Sequence, residues 1–173
     1  DSVAQVELFA FKRGEKQLTR LGVDHWKDQR LFDLHWPVNS EKLRLIRRDR
    51  LQRNMELVEI DIASKSVKSL FKESTENAFL ERQNVRYVKA GGDFIWWSER
   101  SGWGHYYLYD HNGKLKNAIT GGDWPAEGIQ EVDSIGRVLY FAAGGREPKE
   151  NPYYRHLYRV NLDGGPIALL DPG

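Results

Sequence analysis

Ser98, Ser101 and His105 fall within eight residues of one another, with Glu99 beside them. A hydroxyl, an imidazole and a carboxylate are the parts of an acyl-transfer site. A hydrolase nucleophile on a strand-to-helix elbow sits in Gly-x-Ser-x-Gly. Ser101 instead has Glu99 two residues before it and Trp103 two residues after it, and no other serine fits. The expected role of Ser98, Glu99 and Arg100 is therefore to end a strand and tie down the turn. Arginine suits that role because its planar fork matches a carboxylate.

Other reactive types are scattered. His25, His35, His105, His111 and His156 show no recognised ligand spacing with a third partner, so no metal is expected. The chain has no cysteine, which excludes disulfides, thiolate ligands and a cysteine nucleophile. No cofactor is predicted. Glu127, Glu131 and Asp133 have the chemistry of a glycosidase pair. Trp96, Trp97, Trp103, Tyr106, Tyr107 and Tyr109 have that of a sugar platform. Glu131 and Asp133 share strand parity, which predicts a solvent face, and the aromatic stripe is expected to be core. Arg44, Arg47, Arg48, Arg50 and Arg53 form a basic cluster around a predicted hairpin. An acidic partner is one reading; a solvated strand face near Asp49 and Glu56 is the expected one. The net charge is +1, from 26 basic and 25 acidic residues, and this balance predicts no nucleic-acid partner. No apolar run approaches the ~18 residues of a membrane span.

The elements that carry these residues repeat. Segments at Glu7–Gly14, Glu56–Ile62, Tyr106–Gly113 and His156–Gly164 alternate apolar and polar residues and run into turns. Leu8, Leu57, Tyr107 and Leu157 line up at spacings of 49, 50 and 50. A fixed period in this range marks a repeat architecture. Asp61, Asp110 and Asn161 keep the same beat at the turns. Strands are predicted at Val3–Lys12 and Lys16–Leu21. A second group follows at Phe32–Trp36, Lys42–Arg48, Met55–Ile62 and Val67–Lys72. A third lies at Val85–Ala90, Asp93–Glu99, His105–Asp110 and Leu115–Thr120. The last is Ile129–Asp133, Arg137–Ala142, Arg155–Asn161 and Ile167–Asp171. Lys72–Arg82 reads as a polar loop. Four-stranded antiparallel units in series predict an all-β fold, a partial β-propeller of about three and a half blades. The blades fall at roughly 1–24, 25–76, 77–122 and 123–173 of one propeller domain.

The run Phe94–Asp110 is similar to the "W-x-SER-S-G-(aromatic)-x-H-L-Y-L-Y-D" stretch of bacterial dipeptidyl peptidase IV-type enzymes, in the prolyl oligopeptidase clan. Ser98, Glu99, Arg100, Trp103, His105, Tyr109 and Asp110 carry it. Thr120–Trp124 resembles that family's link into the next blade, with Trp124 at its end. Val138–Ala142 and Arg155–Gly165 resemble the blade that follows. Upstream, Leu34–Trp36 and Arg50–Asn54 match a "W … R-x-Q-N" blade. The resemblance covers nearly the whole chain in order.

It implies a non-catalytic segment of an exported dipeptidyl peptidase that removes N-terminal dipeptides with Pro or Ala second. Complete members pair an eight-bladed propeller with a C-terminal α/β-hydrolase domain holding a Ser-Asp-His triad. The propeller shapes the peptide chamber and docks the hydrolase. The family's paired-Glu amine clamp is expected upstream, since no adjacent Glu-Glu occurs here. An arginine-bearing loop facing substrate would fall near Phe79–Arg86, which makes Arg82 and Arg86 substrate-proximal candidates. Glycan-binding or glycoside-hydrolysing propellers and protein-interaction propellers are the alternative classes. The chain opens Asp1-Ser2 without a signal peptide and reads as a piece of a longer protein. Open edge strands predict self-pairing into a homo-oligomer.

Overall fold

β-Branched and aromatic residues alternate with polar ones along most of the chain. The computed structural model, which describes residues 5–38, 41–81, 84–90 and 92–172, turns this pattern into fourteen strands and no helix among those residues. The chain forms two units, Asp1–Arg82 and Gln83–Gly173.

In the first unit β1 (Leu8–Phe11) and β2 (Leu18–Leu21) make a two-stranded antiparallel sheet. A second sheet follows in sequence order: β3 (Arg30–His35), β4 (Lys42–Arg48), β5 (Asn54–Asp61) and β6 (Val67–Ser74). Leu43, Leu45, Val58 and Ile60 share one face of it and bury themselves with Leu21 and Val23. Asp49 sets the β4–β5 hairpin. Its Oδ1 accepts the N–H groups of Arg53 and Asn54 at 2.8 and 3.0 Å, and its Oδ2 accepts Asn54 Nδ2 at 3.0 Å. These bonds supply the tight turn that the register needs.

The basic cluster does not form a solvated face. Arg44 and Arg47 are only 3% and 8% exposed. The β4–β5 register places Arg47 opposite Glu56 and Arg44 opposite Glu59. Arg47 reaches Glu56 Oε2 through Nε at 2.7 Å and through Nη2 at 2.6 Å. Arg44 reaches Glu59 Oε2 at 2.9 Å, and Lys42 reaches Glu59 Oε1 at 3.0 Å. Burial becomes tolerable because each guanidinium is paired and hydrogen-bonded. Arg50 and Arg53 remain exposed.

The second unit holds two four-stranded sheets in sequence order. One is β7 (Arg86–Tyr87), β8 (Phe94–Ser98), β9 (His105–Tyr109) and β10 (Leu115–Ala118). The other is β11 (Ala126–Asp133), β12 (Val138–Gly144), β13 (Arg155–Asn161) and β14 (Ala168–Leu169). Ile95, Tyr106 and Leu108 of the first pack with Leu139, Phe141, Tyr158 and Val160 of the second. Ala126 N–H donates to Gly104 O at 2.7 Å, and Trp97 Nε1 donates to Ala126 O at 2.7 Å, so the β8–β9 hairpin is stitched to β11.

The turn beat has a chemical cause. Asp61 accepts Ser64 N–H, Asp110 accepts the N–H groups of Asn112 and Lys114, and Asn161 accepts Asp163 N–H. Short polar side chains bond their own following backbone at each equivalent turn.

β7 is much shorter than the predicted Val85–Ala90. The chain turns there, with Gly92 N–H bonded to Lys89 O at 3.0 Å. β14 is likewise shorter than Ile167–Asp171: Asp171 lends its side chain to Leu157 N–H at 2.8 Å, and the flanking prolines have no N–H to donate. β11 begins three residues before the predicted Ile129 because Ala126 already pairs with Ala143, and two register shifts absorb the added length. Trp103 is 43% exposed, so it leaves the predicted aromatic core; Trp96, Tyr106, Tyr107 and Tyr109 are buried.

Candidate functional site

Ser98 closes β8 directly opposite His105 on β9. Its Oγ accepts both Arg100 N–H at 3.2 Å and Arg100 Nε–H at 3.0 Å. The turn is completed by Gly102 N–H on Glu99 O at 2.8 Å, with Gly102 at φ +97°, a region that costs glycine least. Arg100 then reaches across the hairpin. Its Nη1 donates to the Tyr109 hydroxyl at 2.7 Å, and its guanidinium lies 4.3 Å from the Tyr107 ring centroid. Tyr107 OH bonds Ser101 Oγ at 3.2 Å, and Ser101 Oγ donates to Trp103 O at 3.3 Å. Both serine hydroxyls are thus committed to the turn. The corner is a hydrogen-bonded clamp with a cation on an aromatic floor.

His105 is 1% exposed and has neither ring nitrogen facing a serine. Nε2 bonds Gly122 O at 2.9 Å, so this nitrogen carries the proton; Nδ1 lies 3.1 Å from Thr120 Oγ1, which itself accepts Tyr106 N–H at 3.0 Å. The imidazole meets Trp124 edge-on at 5.1 Å. Trp124 stacks with Phe141 at 6.1 Å, and Phe141 with Tyr158 at 5.6 Å. Arg146 caps the stack 5.0 Å from the Tyr158 ring and binds Glu147, whose carboxylate also accepts Tyr158 OH at 3.1 Å. Burial, then the bond to Glu147, pushes the Tyr158 phenol up to about 12. Burial raises the Tyr106 phenol as well. Both phenols stay protonated at neutral pH and act as polar ends of a packed core.

The carboxylates do not converge. Glu127 contacts Arg155, Asp133 caps the turn through Ile135 and Gly136 N–H, and Glu131 is exposed opposite Tyr140. Among the described residues no three His, Asp or Glu side chains could hold a metal. The surroundings of Ser98, His105 and Trp124 support architecture, and none of their hydroxyls or ring nitrogens is placed for acyl transfer.

The family model for the dipeptidyl peptidase IV (DPP IV) N-terminal region matches residues 1–172. The chain belongs to this family. Dipeptidyl peptidase 4 of Arthroderma otae is 28% identical over 119 residues, covering 66% of this chain and 15% of the relative. A probable dipeptidyl peptidase 4 of Aspergillus fumigatus is 23% identical over 173 residues, 96% of this chain and 22% of its own length. The crystal structure of Porphyromonas gingivalis dipeptidyl peptidase 4 superposes with a TM-score of 0.78 at 20% identity, covering 96% of this chain and 23% of that one. A putative dipeptidyl aminopeptidase IV from Bacteroides ovatus gives 0.71 at 18% identity, covering 87% and 24%. The chain spans less than a quarter of the length of these relatives. Its fold is that of part of a β-propeller.

Within this DPP IV N-terminal region, Arg86 opens β7 and is exposed, while Arg82 lies outside the described residues. Trp36 is 49% exposed just after β3, and Asp110 caps its turn. Sequence reading missed the buried pairs Arg47–Glu56 and Arg44–Glu59. The signal was available: once Asp49–Asn54 is taken as the hairpin, both pairs fall at opposed register positions. It also missed the Arg146–Glu147–Tyr158 cap, whose members sit on different segments.

His156 makes a third polar junction. Nε2 lies 2.8 Å from Glu150 and Nδ1 lies 3.5 Å from Asp171. The bond to Glu150 first, then the carboxylate charges, hold its pKa above the ordinary histidine value. A raised pKa means the protonated ring is favoured by the fold. Its contribution is complete below the unfolded value and is lost as pH rises through the folded one. The expected NMR titration of His156 has a midpoint above that of an unstructured histidine, and Glu150→Gln brings it down. An unshifted midpoint would remove the junction. No helix among the described residues is long and apolar enough to cross a membrane.

Proposed function

We propose that this chain is the non-catalytic propeller segment of an exported dipeptidyl peptidase that releases dipeptides with Pro or Ala in second position. It walls the substrate chamber and docks a C-terminal α/β-hydrolase domain that supplies the triad. One propeller domain, with one blade per sheet, covers the chain. The match of the family model to residues 1–172 carries this reading. The engaged hydroxyls of Ser98 and Ser101 agree with it, because the chemistry must come from another part of the protein. The relatives named above are dipeptidyl peptidases by name. Arg82 and Arg86 are the residues we assign to the substrate side, where a guanidinium can hold a peptide carbonyl or carboxylate.

The test uses the intact protein and glycyl-prolyl p-nitroanilide. Turnover is expected. Arg86→Ala should raise KM about tenfold and leave kcat nearly unchanged, the pattern of lost ground-state binding. Absence of turnover in the intact protein would overturn the peptidase reading. Turnover with an unaltered KM in the variant would remove Arg86 from the substrate side alone.

A further inference from the structure

Arg30 and Arg48 stand directly opposite each other on β3 and β4. Like charges in directly opposed cross-strand positions repel. Both line a cleft of ≈ 440 Å³ in the first unit, together with Arg50, Asp28, Asp49, Gln29, Gln52 and Val6. The cleft's two carboxylates are themselves engaged by neighbouring groups. Asp49 is turned into its hairpin, where three hydrogen bonds from Arg53 and Asn54 hold it. Burial alone would raise its pKa; those bonds and the nearby Arg48 charge lower it overall, so it stays ionised and occupied. Asp28 is taken by the Gln5 amide and by Arg50 at 3.3 Å. Arg48 spends Nη1 on Leu80 O at 3.0 Å and lies 5.6 Å from the Phe32 ring centroid. The Arg30 guanidinium has no hydrogen-bond, ion-pair or ring partner among the described residues.

The cleft therefore carries three arginines against two aspartates that are already engaged. Its rim is also conformationally committed. Asp28 and Gln52 hold φ values of +58° and +59°, costly for non-glycine residues and commoner where a ligand is clamped. The volume lies in the range of small-ligand sites.

We infer that the Arg30–Arg48–Arg50 cleft binds a carboxylate. A planar anion of one negative charge matches the single excess cation, and a guanidinium fork receives it through two parallel bonds. The carboxylate can belong to a free organic acid or to the acidic side chain of a peptide. Phosphate, with its higher charge, fits the balance less well.

Isothermal titration calorimetry on the intact protein tests this with propionate, with the peptide acetyl-Glu-Ala-amide, and with acetyl-Gln-Ala-amide as the uncharged control. Saturable binding of propionate alone assigns a free acid. Tighter binding of the glutamyl peptide assigns an acidic peptide. In either case Arg30→Gln should weaken binding about tenfold, the loss of one charge-assisted contact. Asp28→Asn should strengthen it by freeing Arg50, and asparagine tolerates the positive φ at that position. If Arg30→Gln loses its fold, the Asp28→Asn gain decides the matter. Four results overturn the proposal: no saturable binding of either carboxylate, equal binding of the glutamine peptide, affinity unchanged in both variants, or preference for inorganic phosphate.

Discussion

Replacing Glu56 with alanine should destabilise the fold by about 3–5 kcal/mol, the range for removing one partner of a buried ion pair. Both members are almost inaccessible, with side-chain exposures of 9% for Arg47 and 7% for Glu56. Arg47 sits on the same sheet face as Leu43 and Leu45, donates to Val23 O at 3.1 Å and lies 5.8 Å from the Trp26 ring. Truncating Glu56 leaves that guanidinium in an apolar setting with one carbonyl and one ring for company. The double variant Arg47→Met with Glu56→Leu removes both charges and should fall close to the unaltered protein, because the desolvation cost goes with the pair. Urea denaturation followed by tryptophan fluorescence reads both. A single-variant loss below about 1 kcal/mol, the scale of a solvent-exposed pair, would show that water reaches the site.

Phe141→Ala should cost about 3–5 kcal/mol, as large aromatic truncations in a packed core do. Phe141 is fully buried and is the ring that joins the two sheets of the second unit. It meets Tyr106 edge-on at 6.0 Å and stacks with Trp124 and Tyr158. Losing it opens a cavity and also releases Trp124, on which His105 rests. Near-UV circular dichroism should weaken in parallel with the loss of stability. Phe141→Leu keeps most of the volume and should cost markedly less. Equal costs for the two variants would mean that the rings contribute bulk and no specific geometry.

Local signals carried most of the secondary structure. β4 and β13 match the predicted Lys42–Arg48 and Arg155–Asn161 residue for residue. Both are seven-residue strands in the interior of their sheets, where a neighbour on each side holds the alternating pattern in register. The largest shortfalls fall where strands are short and peripheral. β7 and β14 are two residues each, and their ends are set by a turn at Lys89–Gly92 and by the Asp171 side chain. Those choices depend on which partner is nearby, and no pattern of one segment records that.

The Ser98 corner was legible in kind. Its partners were not: Arg100 reaches Tyr107 and Tyr109 across a hairpin, and His105 reaches Gly122 and Thr120 beyond the next strand. Residue types and period-two spacing determined the all-β class, the fifty-residue beat and the absence of a nucleophile elbow, because each depends on residues close in sequence. Only the tertiary structure decided that Arg44 and Arg47 are buried, that Trp103 is exposed, and that Arg30 and Arg48 are cross-strand neighbours lining one cleft. Burial and charge pairing are set by what lies across a strand or a sheet, and the same arginine is solvated or enclosed according to the carboxylate that the register brings to it.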